Sequence, residues 1–468
     1  MKRLFALSLS LLAAEPALAQ TGPLSAQDAA ELRRQIEALR TRLGDLERRL
    51  DQSTAPAASS PPAQASAPSA GETPALAAAP PRDTRPTLSW EGSPQAVSGD
   101  RSFKAKGRIQ LDAGYVAPPD GLDDPGLGFV NEFRRIRLGA EGDLGGGFGY
   151  KLELELSGNE VDLVDTFITY ETDDWLLSVG NQNQFQSLDE LIGDTTGAFM
   201  ERAAFTDAFG FERRLGLAAQ YKTGPLLLQG GVFTDDAGAL ADSSDGPDGG
   251  DENNSVGLDA RAVFAPRIGD TQLHLGASAH WRKLNRLEEA PVRYRQRPYL
   301  HATNSRFLAT PGLGVEAERH WGFELAGAHG PWWFAGETHW LNADRLLAPS
   351  PTFFGGYAEI GYFVSKGDSR PYRSGIFGRT KPKRPVGEGG LGALQVSFRY
   401  DHLDLNDAGV LGGKQNGYIG ALIWTPIDWV RLNLNYAHLD YTGAALPLSD
   451  GDRDYGVDVL GTRIELDF

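Results

Sequence analysis

A chain of 468 residues with no cysteine has no disulfide framework and no thiolate metal site. A formal net charge of -17 argues against nucleic acid as a partner. The length alone suggests two or three domains, although one large β-barrel accommodates most of it.

At the start, Lys2 and Arg3 precede the apolar run LFALSLSLLAA, and Ala17-Leu18-Ala19 supplies an A-x-A site. Residues 1–19 therefore read as a secretory signal peptide. The run is too short for a membrane anchor, and no later stretch approaches the ~20 apolar residues of a spanning helix.

Residues 20–52 contain a heptad. Ala29, Leu32, Ile36, Leu39, Leu43, Leu46 and Leu50 alternate at spacings of three and four, the a and d positions of a coiled coil. Arg42 and Glu47 flank Leu43 and Leu46 in a pattern that resembles a short trimer-specifying motif. A lone amphipathic helix is the plainer alternative. Residues 53–98 are rich in Pro, Ala and Ser and read as an extended, disordered spacer.

Residues 99–468 change texture. Sixteen alternating runs are separated by Gly, Asp, Asn and Pro: 103–116, 131–142, 148–157, 162–171, 174–182, 212–222, 225–234, 255–265, 271–284, 317–328, 331–342, 355–365, 391–402, 414–424, 428–441 and 456–468. A soluble sandwich also alternates, so the connections decide. Short ones (GDLGGG, ETDD, KTGP, PRIGD, AHGP, WTPIDW) alternate with long ones at 183–211, 235–254, 285–316 and 442–455. That asymmetry, with aromatics such as Tyr115, Trp175, Tyr221 and Trp424 near strand ends, marks an outer-membrane barrel. The fold class is all-β membrane: a sixteen-stranded antiparallel transmembrane β-barrel with an N-terminal helical coiled coil and a Pro/Ala-rich spacer. Phe468 ends the last strand on its apolar face. A terminal aromatic there resembles the signal read by the outer-membrane assembly machinery.

Parity assigns the wall. In FKAKGRIQLD, Phe103, Ala105, Gly107, Ile109 and Leu111 face one way and Lys104, Lys106 and Arg108 the other. A charge facing lipid costs roughly 2–4 kcal/mol at the midplane, so the cations face the lumen. The same rule gives Arg135, Arg137, Lys151, Arg214, Arg261, Arg282, Arg399, Arg431 and Arg463 as wall cations. It gives Asp112, Glu141, Glu153, Glu155, Asp165, Asp259, Glu324, Glu337, Glu359, Asp401, Glu465 and Asp467 as wall acids. The totals are comparable, so clustering has to distinguish them. Lys104, Lys106, Arg108, Arg135 and Arg137 sit on strands 1 and 2, and rings of such residues favour anions. For any one of them, a structural ion pair across strands is an equally good reading.

Several stretches resemble the phosphate-selective porin (porin O/P) family over about residues 103–468: FRRIRLGAEGDL, MERAAFTDAFGFERRLGLAAQY, RYRQRPYLHATNSRFLATPG, GIFGRTKPKRP, LGALQVSFRYDHLDLND and VRLNLNYAHL. The resemblance implies a sixteen-stranded trimeric porin in outer-membrane lipid, with the third loop, fifth loop and seventh periplasmic turn folded into the lumen. The long connections 183–211 and 285–316, and an anomalously long turn at 366–390, agree with that. The inward segments would add Arg293, Arg295 and Arg297 from the fifth loop, and Lys381, Lys383 and Arg384 from the turn, as pore-lining or anion-binding groups. Two features depart from the family pattern. GNQNQFQ, with Asn183, stands where a lysine is expected, and the third loop carries Asp189, Glu190, Asp194 and Glu201.

Catalytic signals are missing: there is no G-x-S-x-G and no H-E-x-x-H. Gly387, Gly389 and Gly392 fit G-x-G-x-x-G, but a strand follows them, so they read as a turn. Asp242, Asp245, Asp248, Asp251 and Glu252 miss the twelve-residue calcium pattern and read as a solvated loop. No enzyme activity, metal or cofactor is expected. The expected function is passive diffusion of small anions such as phosphate through an outer-membrane homotrimer, with the coiled coil in the periplasm. A general, weakly selective porin and an outer-membrane-to-cell-wall tether are the alternatives.

Overall fold

The computed structural model describes residues 86–468, apart from 159, 236, 238–254 and 285–290. The expected signal peptide, the heptad segment and the acidic loop at 242–252 lie outside the described residues.

Sixteen long strands follow one another: β1 (Arg101–Val116), β2 (Gly128–Gly145), β3 (Phe148–Glu155), β4 (Asp162–Glu171), β5 (Trp175–Asn183), β6 (Arg213–Thr223), β7 (Leu226–Phe233), β8 (Val256–Phe264), β9 (Thr271–Lys283), β10 (Ala317–His329), β11 (Trp332–Asp344), β12 (Thr352–Phe363), β13 (Ala393–Asp407), β14 (Val410–Ile427), β15 (Val430–Thr442) and β16 (Tyr455–Asp467). Each pairs antiparallel with its neighbours, and β16 returns to β1 from Val459↔Val116 to Asp467↔Arg108. Closure removes the free edges that an open sheet of this size would expose. Each of the sixteen alternating runs falls on one of these strands.

Alternation sorts the two faces. On β8, Val256, Leu258 and Phe264 are exposed outward, while Asp259 and Arg261 are buried inward. Every wall charge assigned to the lumen by parity is buried or half-buried. On the outside, aromatic pairs collect beside the short turns: Phe148–Tyr170, Trp175–Tyr221 and Trp332–Tyr362, with ring centroids 4.5–4.9 Å apart. Such a belt suits a headgroup boundary. Among the described residues, no helix is long and apolar enough to cross a membrane.

The ordered sheet begins earlier than the spacer boundary at 98 implied. Thr87–Trp90 pairs with Pro94–Ser98, which pairs with Arg101–Lys104 of β1. This hairpin occupies the flank of β1 that β16 leaves open, because β16 ends opposite Arg108. Phe468 closes the seam, exchanging backbone hydrogen bonds with Gly107 at 2.9 and 3.0 Å. Its ring lies over Gly107 so closely that an added Cβ would sit 2.2 Å away, so a side chain here would force the Phe468 ring to shift.

The sixteen strands of the closed wall run from Arg101 to Asp467. Deleting 20–86 is therefore expected to leave a heat-modifiable barrel, read as an electrophoretic shift of outer-membrane fractions. Loss of insertion would show that the N-terminal region takes part in assembly.

Candidate functional site: the constricted lumen

Three connections enter the barrel: L3 (184–212) between β5 and β6, the described part of L5 (284 and 291–316) between β9 and β10, and the turn 364–392 between β12 and β13. Counted from β1, this turn is the sixth of the short-end connections. Gly387, Gly389 and Gly392 have φ of 93°, 80° and 78°, as the turn reading requires.

L3 is held along its whole length. Its first helix, Leu188–Leu191, is capped by the Ser187 side chain. Glu337 of β11 accepts from the Leu188 and Asp189 amides at 2.8 Å each and from Ser187 Oγ at 3.2 Å. Asp401 of β13 accepts from the Ala204 amide at 2.9 Å, at the start of the helix Ala204–Ala208. Between these pins, guanidiniums take successive loop carbonyls: Arg370 on Thr196, Arg431 on Gly197, Arg463 on Met200 and Arg399 on Glu201. A planar fork with five donors suits this task better than a lysine does.

The acids of L3 meet the cations of β1 and β2. Asp194 lies 2.9 Å from Arg135, 3.4 Å from Arg202, 3.5 Å from Arg108 and 3.7 Å from Arg137. Burial alone would raise its carboxyl, but Arg135, Arg202, Arg137 and Arg108 together hold it well below the usual carboxylate range. Glu201 bridges Arg463 at 2.6 Å and Arg134 at 3.3 Å. Glu190 lies 3.2 Å from Arg202, and burial pushes its carboxyl up to about 7 against the pull of that guanidinium.

The remaining expected site residues divide. Lys106 pairs with Glu141 at 3.3 Å, Arg137 with Glu153 at 2.9 Å and Glu155 at 2.7 Å, and Arg108 with Asp467 at 3.2 Å. Lys104 sits 5.6 Å from the Trp429 ring centroid and has no ion pair among the described residues. Arg297 of L5 bonds the Thr303 carbonyl, and its amide donates to Asp207 of L3. Arg293 and Arg295 are exposed on a cavity that also meets Arg214, Arg282, Glu212, Asp235 and Glu318. Lys381, Lys383 and Arg384 are exposed, and Lys381 reaches Asp428 in the short turn between β14 and β15 at 3.8 Å. They belong to the rim. The same turn sends other cations inward: Arg370, stacked 3.9 Å from the Trp333 ring centroid and 4.3 Å from Phe377, and Arg379, paired with Asp467.

One lumen-facing arginine escaped strict parity. The β1–β2 register jumps from Gln110↔Arg135 to Leu111↔Phe133, so Arg134 occupies a bulge and faces the lumen beside Arg135. Asn183 closes β5 opposite Arg213 and supplies no charge.

The closed wall, the inward loops and the charged constriction together define an outer-membrane channel barrel. The model of the family phosphate-selective porin O and P matches residues 103–468, and the chain belongs to that family. A Caulobacter vibrioides protein described as uncharacterized is 60% identical over 461 residues, covering 97% of this chain and 92% of its own. Among solved structures, in-vitro folded OmpT of Vibrio cholerae in its trimer form overlays with a TM-score of 0.50 at 10% identity, covering 79% of this chain and 100% of that one. That likeness is one of fold. The outer membrane channel DcaP of Acinetobacter baumannii gives 0.46 at 14% identity, covering 79% and 97%.

Proposed function

We propose that this porin passes small anions, phosphate among them, by diffusion, as a homotrimer in the outer membrane. The observation that carries the reading is a pocket under L3 with no acidic lining residue. Thr195, Thr196, Thr380, Thr425 and Gln395 surround Arg379 and Arg431 there. Arg379 Nη2 and Arg431 Nη1 are buried and make no hydrogen bond, while Arg379 Nη1 pairs with Asp467 outside the pocket lining. Guanidinium N–H groups without a partner beside hydroxyls make this stretch of the lumen favour anions over cations.

The pairing of the β1–β2 cluster with Asp194 and Glu153 supports a second reading, a weakly selective pore. A reversal potential under a KCl gradient separates the two. Anion preference is expected, and Arg379→Gln should reduce it, because that side chain faces the acid-free pocket. Phosphate should block chloride current only at millimolar levels, about -4 kcal/mol of binding, since most lumen cations already have carboxylate partners. A cation-side reversal potential in the parent channel would reject the anion reading, and micromolar block would show a converged phosphate site. A barrel that conducts nothing would favour the tether.

A further inference from the structure

Three of the eight histidines meet at one place under L3. His280 of β9 lies directly opposite His320 of β10 in the ladder, and His339 projects from β11. Ring centroids are 5.0 Å apart for His280–His320 and 5.5 Å for His320–His339. His320 Nδ1 lies 3.3 Å from His339 Nε2. All three side chains are buried. L3 closes over them: Phe205 stacks on His339 at 5.4 Å with rings 9° apart, Phe211 meets His339 edge-on at 5.0 Å, and Phe209 meets His320 edge-on at 6.2 Å. Gln186 of L3 contacts His280 Nδ1 at 3.1 Å.

We propose that His280, His320 and His339 form an acid-sensitive latch on L3, whose protonation releases residues 203–211 and changes the aperture.

The charges around the cluster give the direction. On β8, Asp259 contacts His280. On β10, Glu318 is 3.9 Å from His320 Nε2 and is engaged by Tyr294 of L5 at 2.6 Å. On β11, Glu337 is taken by the Leu188 and Asp189 amides and by Tyr357 of β12. On β9, Arg282 is turned to Asp235. On L3 itself, Asp207 accepts from the Arg297 amide, and Glu190 pairs with Arg202. Among the described residues, only Asp259 and Glu318 can answer three imidazoles, and His339 faces phenyl rings. Its contact with His320 needs one nitrogen lone pair, so protonating both rings breaks the bond and sets two cations side by side.

Ordinary imidazoles titrate near 6.5, so docking begins to weaken only below that value. The sign follows from linkage. The undocked loop leaves the imidazoles wetter and binds protons better, so docking is strongest above that value and weakens as pH falls, by up to tenfold per pH unit per proton. The other inward segments behave differently. His274 lies between Tyr372 of the turn and Glu324, and His301 of L5 sits on Glu132, so each of these imidazoles has a carboxylate partner that His339 lacks.

The test is single-channel conductance at pH 7.5 and 5.0 for the parent, the His320→Gln/His339→Gln double variant and Glu190→Gln. Glu190 titrates in the same window and needs its own control. The parent should show a conductance step of at least twofold, retained in Glu190→Gln and lost in the double variant. A step of equal size in the double variant overturns the latch. This assay relies on the chain being a conducting pore. Hydrogen exchange of the parent, corrected for the intrinsic pH dependence, does not. It should show protection lost at pH 5.0 for residues 203–211 and kept in the barrel strands. Unchanged protection there overturns the proposal even if the variants fail to insert.

Discussion

Replacing Asp194 with asparagine should give a barrel that inserts but carries far more of its current as anions. The carboxylate sits among Arg135, Arg202, Arg108 and Arg137 within 3.7 Å, so its removal leaves that cluster more positive by one charge. At ~6 Å and an effective dielectric of about 20–40, one unit charge changes an anion's energy by roughly 1.4–2.8 kcal/mol. That is about ten- to a hundredfold in partition, enough to move a reversal potential plainly. Stability should suffer as well, because stranding buried cations costs on the order of 3–5 kcal/mol. The hydrogen-bonded wall closes independently of L3, so the loss should appear as a lower heat-modification temperature rather than as failed insertion. An unchanged reversal potential in an inserted variant would mean that ions do not pass this cluster.

Mild acid cannot imitate that substitution. Asp194 is held below the ordinary carboxylate range, so its stabilising charge is present at any pH above about 4 and is lost only in stronger acid, as pH falls through the lowered value. Glu190 behaves oppositely. With its carboxyl pushed up to about 7, it loses its charge as pH falls below neutrality.

The barrel and its inside–outside assignment were legible because lipid enforces a period of two that water inside the lumen does not blur. The Arg134 bulge was also written in the chain: Phe133 and Ile136 both face outward with two arginines between them, which strict alternation forbids. The hairpin at 87–98 had a weaker signal, two short runs split by Glu91-Gly92-Ser93 inside a polar stretch. Charge pairing was not legible. Asp194 meets Arg135 and Arg137 only because Glu337, Asp401 and four guanidiniums hold L3 in place, and no periodicity encodes that fold-back. Nor does the turn 364–392 carry a period to say that Arg370 and Arg379 turn inward while Lys381, Lys383 and Arg384 stay on the rim. A run of basic residues marks a segment as cationic, but which of them reaches the lumen depends on packing, such as the stacking of Arg370 between Trp333 and Phe377.

Glu337→Ala should loosen the first anchor of L3 while leaving the second in place. This carboxylate accepts from two amides and a hydroxyl of L3 and from Tyr357 Oη at 3.0 Å, deep in the wall. Truncation leaves those donors without a partner unless the loop moves to water, weakening the attachment by roughly 2–4 kcal/mol when one or two go unmet. The far half of L3 keeps Asp401, Arg399, Arg431 and Arg463, so only the stretch around Ser187–Leu191 should lift. A loop anchored at one end narrows the lumen less and fluctuates more. Single-channel recordings should therefore show a larger mean conductance with added open-channel noise, while the reversal potential moves less than in Asp194→Asn. Conductance and noise equal to the parent's would show that Asp401 and the guanidinium contacts suffice to hold L3, and that Glu337 is dispensable to the constriction.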